Sequence, residues 1–275
     1  MRNIRLTLSY DGTNYVGWQV QPNGPSVQAA VEQAVFKLTG ETVSLIGAGR
    51  TDSGVHALGQ VANFATQTAI TCEKLQTGLQ NFLADDVIIR DVSDVDAKFH
   101  ATYSAKWKRY RYVIFNNRVN DPFIQKYTWQ YAAALDAAAM HDAAQVLLGT
   151  HDFRCFESHF PNKATSVRTV IESRVERFGG WPLWSRGESP VTANQKSAHS
   201  HSRAPGAQTG AFVRLDIAAD GFLYNMVRAI VGTLLKVGRH QWTAEDVRRI
   251  IDTGDRSQAG ETAPARGLYL VHIEY

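Results

Sequence analysis

Cysteine is scarce in this chain: Cys72 and Cys155 are the only two, far apart and in unlike surroundings. Two such residues make neither a disulfide framework nor a zinc-binding spacing, and they read as a reduced, intracellular protein. Long apolar runs are also missing. The most apolar stretch, Ala229 to Val237, is too short to span a bilayer. The opening MRNIRLTLSYDG alternates polar and apolar residues and lacks the apolar block of a signal peptide, so a cytoplasmic location is expected. Neither sign of charge dominates: the net charge of +3 suits an anionic partner without requiring one. What remains is the composition of a folded protein, 44% hydrophobic over 275 residues, enough for one large domain or two smaller ones.

Periodicity gives the elements. Ile4, Leu6 and Leu8 alternate with polar residues as a half-buried strand that turns at Asp11-Gly12. Ser26 caps a helix whose apolar face is Val27, Val31, Ala34, Val35 and Leu38, and Gly40 ends it. A strand over Val43 to Ile46 leads into the loop Gly47 to Gly54, followed by a strand at Val61 to Phe64, a helix from Glu73 to Phe82 and a strand at Val87 to Asp91. The second half has the same grammar. Strands are expected at Trp107 to Phe115, Val167 to Phe178, Ala211 to Ile217 and Leu268 to Tyr275, the middle two paired with each other. Helices are expected at Asp136 to Leu148, Tyr224 to Val237 and Ala244 to Ile251. This is an α+β chain of two related lobes, 1–103 and 104–275. Residues Gly179 to Gly210, rich in Gly, Ser, Pro and Ala, read as a mobile insertion in the second lobe. Trp181 and Trp184 are candidates to anchor its start or bind a partner, whereas His199 and His201 read as solvated bystanders and not metal ligands.

Three clusters could carry chemistry. The first is GRTDSGVHA, Gly49 to Ala57. Thr-Asp-Ser-Gly is a good turn, in which an Asp often bonds only its own backbone. Its neighbours offer more: the glycines leave room for a ligand, Arg50 could grip a phosphate or fill the gap left by an extruded base, and His56 adds a polar group. The segment lacks the Lys-Ser/Thr ending of a phosphate-binding P-loop. No DxD-type cluster surrounds Asp52, which argues against a magnesium-dependent phosphate-ester hydrolase. The second cluster is KWKRYRY, Lys106 to Tyr112. Alternation sends Tyr110, Tyr112 and Ile114 to one face and Arg109, Arg111 and Val113 to the other. Such a strand can stack bases and hold phosphates, or it can bury its tyrosines in a core. The third cluster surrounds Arg228, on a helix apolar nearly all round. A charge there needs a carboxylate from elsewhere in the chain, for which Asp52 is a candidate, or else snorkels or fans onto carbonyls.

These clusters, in this order, resemble the tRNA pseudouridine synthase A family. The similarity runs over nearly the whole chain: YDG-x-x-Y-x-GWQ (Tyr10 to Gln19), SVQ (Ser26 to Gln28), GRTDSGVHA, FHA (Phe99 to Ala101), RYRY (Arg109 to Tyr112), MVR-x-IVG (Met226 to Gly232) and GLYLV (Gly267 to Val271). The resemblance implies Asp52 as the catalytic carboxylate, with Tyr110 stacking at the target base. It also implies that Arg50 assists extrusion, Arg228 pairs with Asp52, and Leu268 lines the substrate site. It further implies two ferredoxin-like lobes sharing a continuous antiparallel sheet, with helices on one side and a basic cleft between the lobes. The substrates it implies are uridines 38, 39 and 40 of the tRNA anticodon arm, modified by a homodimer that uses no metal or organic cofactor and has no DNA or membrane partner. The insertion at Gly179 to Gly210 departs from the family, whose members usually make a short turn there. A non-catalytic RNA-binding protein would explain KWKRYRY but not a lone carboxylate, whose charge weakens RNA binding.

Overall fold

The structure, a computed structural model, describes residues 1–158, 165–181 and 210–275. Among these the chain is α+β, with ten strands in one mixed sheet and five α-helices. No described helix is long and apolar enough to cross a membrane. Two compact units emerge, Met1–Tyr110 with Pro264–Tyr275, and Arg111–Ala263.

The first unit opens with β1 (Arg2–Tyr10), α1 (Val27–Thr39), β2 (Ile46–Gly47), β3 (His56–Thr66), α2 (Cys72–Gln80) and β4 (Val87–Val95). β1 runs antiparallel to both β3 and β4, so its backbone is bonded on each side. Its apolar alternation lands as expected, with Ile4, Leu6 and Leu8 fully buried in a core shared with Val27, Val31 and Val35 of α1 and Leu75 and Leu79 of α2. Each such side chain contributes about 1.5–3 kcal/mol. Ser26 caps α1 by accepting from the Ala29 amide, and Gly40, at φ 76°, ends it. The strand expected at Val43 to Ile46 begins only at Ile46. β2 reaches β3 through Ile46 and Gly47 alone, and the Leu45 amide donates to Glu32 Oε1 at 2.9 Å instead of entering the sheet.

β5 (Trp107–Phe115) follows, and the boundary between the units falls within it. The second unit contains β6 (Trp129–Gln130), α3 (Ala137–Gln145), β7 (Gly149–Asp152), β8 (Val167–Phe178), β9 (Phe212–Ala219), α4 (Met226–Gly238) and α5 (Ala244–Thr253). β8 and β9 pair antiparallel, as their sequences suggest. α3 stops short of Leu148 because the amides of Val146, Leu147 and Leu148 each reach back only three residues, a tightened last turn. β6 and β7, two and four residues long, carry no periodic signal and were not anticipated. β10 (Leu268–Glu274) returns to the first unit, where it runs parallel to β3 with Tyr269 opposite His56. β6 is parallel to β5. The sheet is therefore mixed and not wholly antiparallel: strands joined by long connections instead of hairpins are free to run in the same direction.

β5 bears on the two readings left open for its alternation. Its arginines do not form a basic face open to phosphate; Arg109 and Arg111 are 5% and 1% exposed. Arg109 lies over the Trp107 ring, 5.5 Å from its centroid. Arg111 makes a two-point contact with Asp216 of β9, Nε to Oδ1 at 2.7 Å and Nη2 to Oδ2 at 3.2 Å. Arg214 joins from the other side, Nε to Asp216 Oδ2 at 2.8 Å and Nη2 to Glu176 at 3.1 Å, with its guanidinium 4.2 Å from the Phe178 ring centre. Alternation identifies opposite faces of a strand, but in β5 residues of both faces are buried. Asp216 thus answers two buried cations. Asp216→Ala is expected to cost about 3–5 kcal/mol by stranding them, read as a lower urea midpoint at unchanged m-value.

Candidate active site

The segment from Gly47 to Val55 crosses from β2 to β3 and is tied down almost residue by residue. The Ala48 amide donates to the Val61 carbonyl at 2.8 Å, and Lys108 Nζ donates to the Ala48 carbonyl at 2.6 Å. Gln60 Nε2 donates to the Gly49 carbonyl at 2.8 Å. Thr51 is held twice: its carbonyl accepts from the Trp18 amide at 3.0 Å, and its Oγ1 lies 2.8 Å from the Tyr10 hydroxyl. Asp52 forms an antiparallel bridge with Gly17. The Gly54 amide donates to the Tyr15 carbonyl at 3.3 Å, and Ser53 Oγ reaches the same oxygen. Arg50 is the exception. It is exposed, and its side chain has no ion pair or hydrogen bond among the described residues.

The Thr-Asp-Ser-Gly turn is closed by main chain, the Val55 amide donating to the Asp52 carbonyl at 3.1 Å, with Gly54 in the left-handed region at φ 76°. The turn therefore does not need the Asp52 side chain to hold it together. That side chain belongs to a half-buried residue one step beyond the buried Thr51. Tyr110 stands close by. Its phenol pKa is pushed well up, first by burial and then by the charges of Tyr10 and Asp52. A carboxylate disfavours a neighbouring phenolate, so this shift records Asp52 within electrostatic range of the Tyr110 hydroxyl. That hydroxyl also lies 4.0 Å from the position a Cβ on Gly49 would take. Asp52, Tyr110 and Arg50 are thus gathered within the first unit. Leu268 is in the same unit, buried at the start of β10, one residue before the Tyr269–His56 register.

Arg228 belongs to the second unit. Eleven of the thirteen α4 residues are buried, all but Arg228 and Lys236, as the apolar pattern requires. Arg228 Nε donates to the Ala263 carbonyl at 2.7 Å and Nη1 to Asn225 Oδ1 at 2.7 Å. Neutral oxygens therefore serve two edges of the guanidinium. Asn225 was missed by sequence reasoning. It sits at the N-terminus of α4 in a left-handed conformation, φ 61° and ψ 6°, and its Nδ2 also donates to Ser158 Oγ at 2.9 Å. Asn tolerates this region better than most residues, so an Asn just before an apolar helix was the available signal. His56 is not an accessible polar group. It is 2% exposed, its Nδ1 lies 3.0 Å from the Gly12 amide and 3.1 Å from Asp11 Oδ1, and its ring stacks on Tyr269. Those contacts staple β3 to the turn after β1. Trp181 packs edge-on against Phe212, with centroids 5.6 Å apart, at the root of the insertion. Trp184, His199 and His201 lie outside the described residues.

A family model described as tRNA pseudouridine synthase matches residues 7–104 and 143–275. The tRNA pseudouridine synthase A of Acetivibrio thermocellus is 44% identical over 275 residues, spanning 100% of both chains. That of Thermoanaerobacter sp. is 42% identical over the same span, and that of Moorella thermoacetica is 41% identical over 274 residues, 99% of each chain.

Two glycines in the site should respond differently to substitution. Gly17 has φ 117°, and a Cβ there would lie 2.5 Å from the Thr51 carbonyl oxygen, the acceptor of the Trp18 amide. Gly17→Ala should lower stability by at least about 1–3 kcal/mol through backbone strain. Gly49→Ala would meet nothing closer than Lys108 Nζ at 3.5 Å and should fold as well as the parent. Thermal melts of the two variants check this.

Proposed function

The chain belongs to the tRNA pseudouridine synthase family, and from that premise we propose that it converts uridines 38, 39 and 40 of the tRNA anticodon arm to pseudouridine with Asp52 as the catalytic carboxylate. It is an isomerase acting on tRNA uridine. The observation that carries the assignment of Asp52 is its setting: a half-buried carboxylate on a loop fixed by its neighbours, within electrostatic range of the buried Tyr110 and two residues from the exposed Arg50. A negative charge near RNA phosphates weakens binding, so chemistry is the reason to keep one there.

The reaction breaks the bond from ribose C1′ to N1, turns the uracil and rejoins it through C5, with no net change in mass. The base must first leave its stack, at a cost of a few kcal/mol that contacts in the site offset. Tyr110 stacks on the extruded base, Arg50 supports the vacated position, and Leu268 lines the pocket. Asp52 then adds to the ribose or the base, or removes a sugar proton. Each route needs an ionised and aimed carboxylate. Desolvation opposes ionisation unless a cation answers it, and this reading gives that task to Arg228, with Asn225 and the Ala263 carbonyl holding the guanidinium. The same reading has the protein act in the cytoplasm as a homodimer, without metal or organic cofactor.

Asp52→Asn should bind tRNA as tightly as the parent yet release no hydrogen from C5 of the target uridine, a loss of at least about 10⁴-fold. Turnover near the parental rate would remove Asp52 from its role. Arg228→Ala should lose roughly 10²–10³-fold in kcat, and mapping pseudouridine in tRNA from cells lacking the protein should show positions 38 to 40 unmodified. Loss at other positions instead would reassign the substrate while leaving the chemistry intact.

A further inference from the structure

We propose that Tyr10 is a positioning residue for the isomerisation, setting the aim of Asp52 through the buried contact between its hydroxyl and Thr51; this rests on the function assigned above. Tyr10 is the last residue of β1, opposite Ala57 of β3 and Val87 of β4, so its own backbone is fixed from both sides. Its ring is 5% exposed and leans on Trp18, with centroids 6.2 Å apart. The hydroxyl lies 2.8 Å from Thr51 Oγ1. The phenol oxygen is thereby linked to the residue that stands between Arg50 and Asp52.

Geometry separates this task from plain packing. The ring supplies the bulk and the hydroxyl supplies only the link, so Tyr10→Phe removes the link while leaving the shape. Burial pushes the Tyr10 phenol pKa well up, which keeps the proton in place throughout the neutral range. Thr51 is itself buried, at 6% exposure, so water cannot readily replace the lost partner. A carboxylate displaced by even a fraction of an ångström loses alignment with the reacting atom, and errors near 1 Å cost about 10²-fold in rate.

The test has two readouts, one independent of turnover. In the full chain, Tyr10→Phe should speed hydrogen–deuterium exchange at the amides of residues 48–55 and lower kcat for pseudouridine formation roughly 10-fold to 100-fold, with KM for tRNA unchanged. Thr51→Val should do the same, the double variant should be no worse than either single one, and Thr51→Ser, which keeps the oxygen, should retain the parental kcat. A lower melting temperature with kcat intact would make the contact merely structural and overturn the proposal, as would unchanged exchange or additive losses in the double variant. A parent that forms no pseudouridine would sink the assigned function, and with it a role in that reaction, while exchange alone would still report whether Tyr10 holds the loop.

Discussion

The aim of one carboxylate depends on a seam of main chain. Where the Gly17–Trp18 strip meets Thr51 and Asp52, an amide donates to a carbonyl and a short bridge fixes the direction in which the Asp52 side chain leaves the backbone. A glycine is required on the other side of that seam because any Cβ there would run into the Thr51 carbonyl. The rest of the first unit can be understood as supporting this contact. β1 and β3 supply the flat frame, α1 presents Ser26 and Val27 just after the Trp18 strip, and the Val27 amide donates back to Gly17 at 3.3 Å. Backbone contacts suit this duty. They do not hop between rotamers, and they leave the acidic side chain to be answered by other groups.

Arginine is used in three distinct ways in this chain. Arg111 and Arg214 are cations of the core, matched to Asp216 and Glu176, and Arg214 also lies over the Phe178 ring. Burial lowers the Arg214 pKa, opposed by Asp216 next to it. Such networks rarely stabilise a protein more than apolar packing would, but removing one member is costly. Arg228 is different. It interrupts a buried helix, and part of its hydrogen-bonding capacity goes to neutral oxygens that fix its orientation without cancelling its charge. Arg50 is different again, being exposed and unconstrained by any described partner. The same residue type therefore serves as mortar, as an oriented charge and as a free contact group. The surroundings decide which, not the sequence spacing.

This contrast explains how much was legible beforehand. β1, α1, β5, β8, α4 and α5 declare themselves through periodicity and caps, because burial of one face is a local pattern. β2 fails as drawn because the chain leaves the ladder to bond Glu32, a choice made by a residue 13 positions away. β6 and β7 are strands only by virtue of their partners. In KWKRYRY the alternation was legible, but the covering of both faces was not, since that depends on strands far off in sequence. The site shows the same division. Thr-Asp-Ser-Gly by itself suggests only a turn, and the turn is real. It was the whole series of motifs, resembling a known family, that singled out Asp52, Arg50, Tyr110, Arg228 and Leu268. Tyr10 and Thr51, 41 residues apart, meet only in three dimensions.

A division of labour between stiffness and freedom follows from these contacts. Extruding a base from a folded RNA requires a group that can follow the nucleotide as it moves, whereas attack on the sugar or base requires one that does not move at all. On the roles proposed for Arg50 and Asp52, the loop would place both within three residues. Thr51, with a held carbonyl and a held hydroxyl, separates Arg50 from Asp52. A long flexible cation loses side-chain entropy only when it engages substrate, so its cost falls on binding and not on the folded enzyme at rest. Under the proposed mechanism, a carboxylate held in advance incurs no such cost when the reaction occurs, and that is where preorganisation would raise the rate.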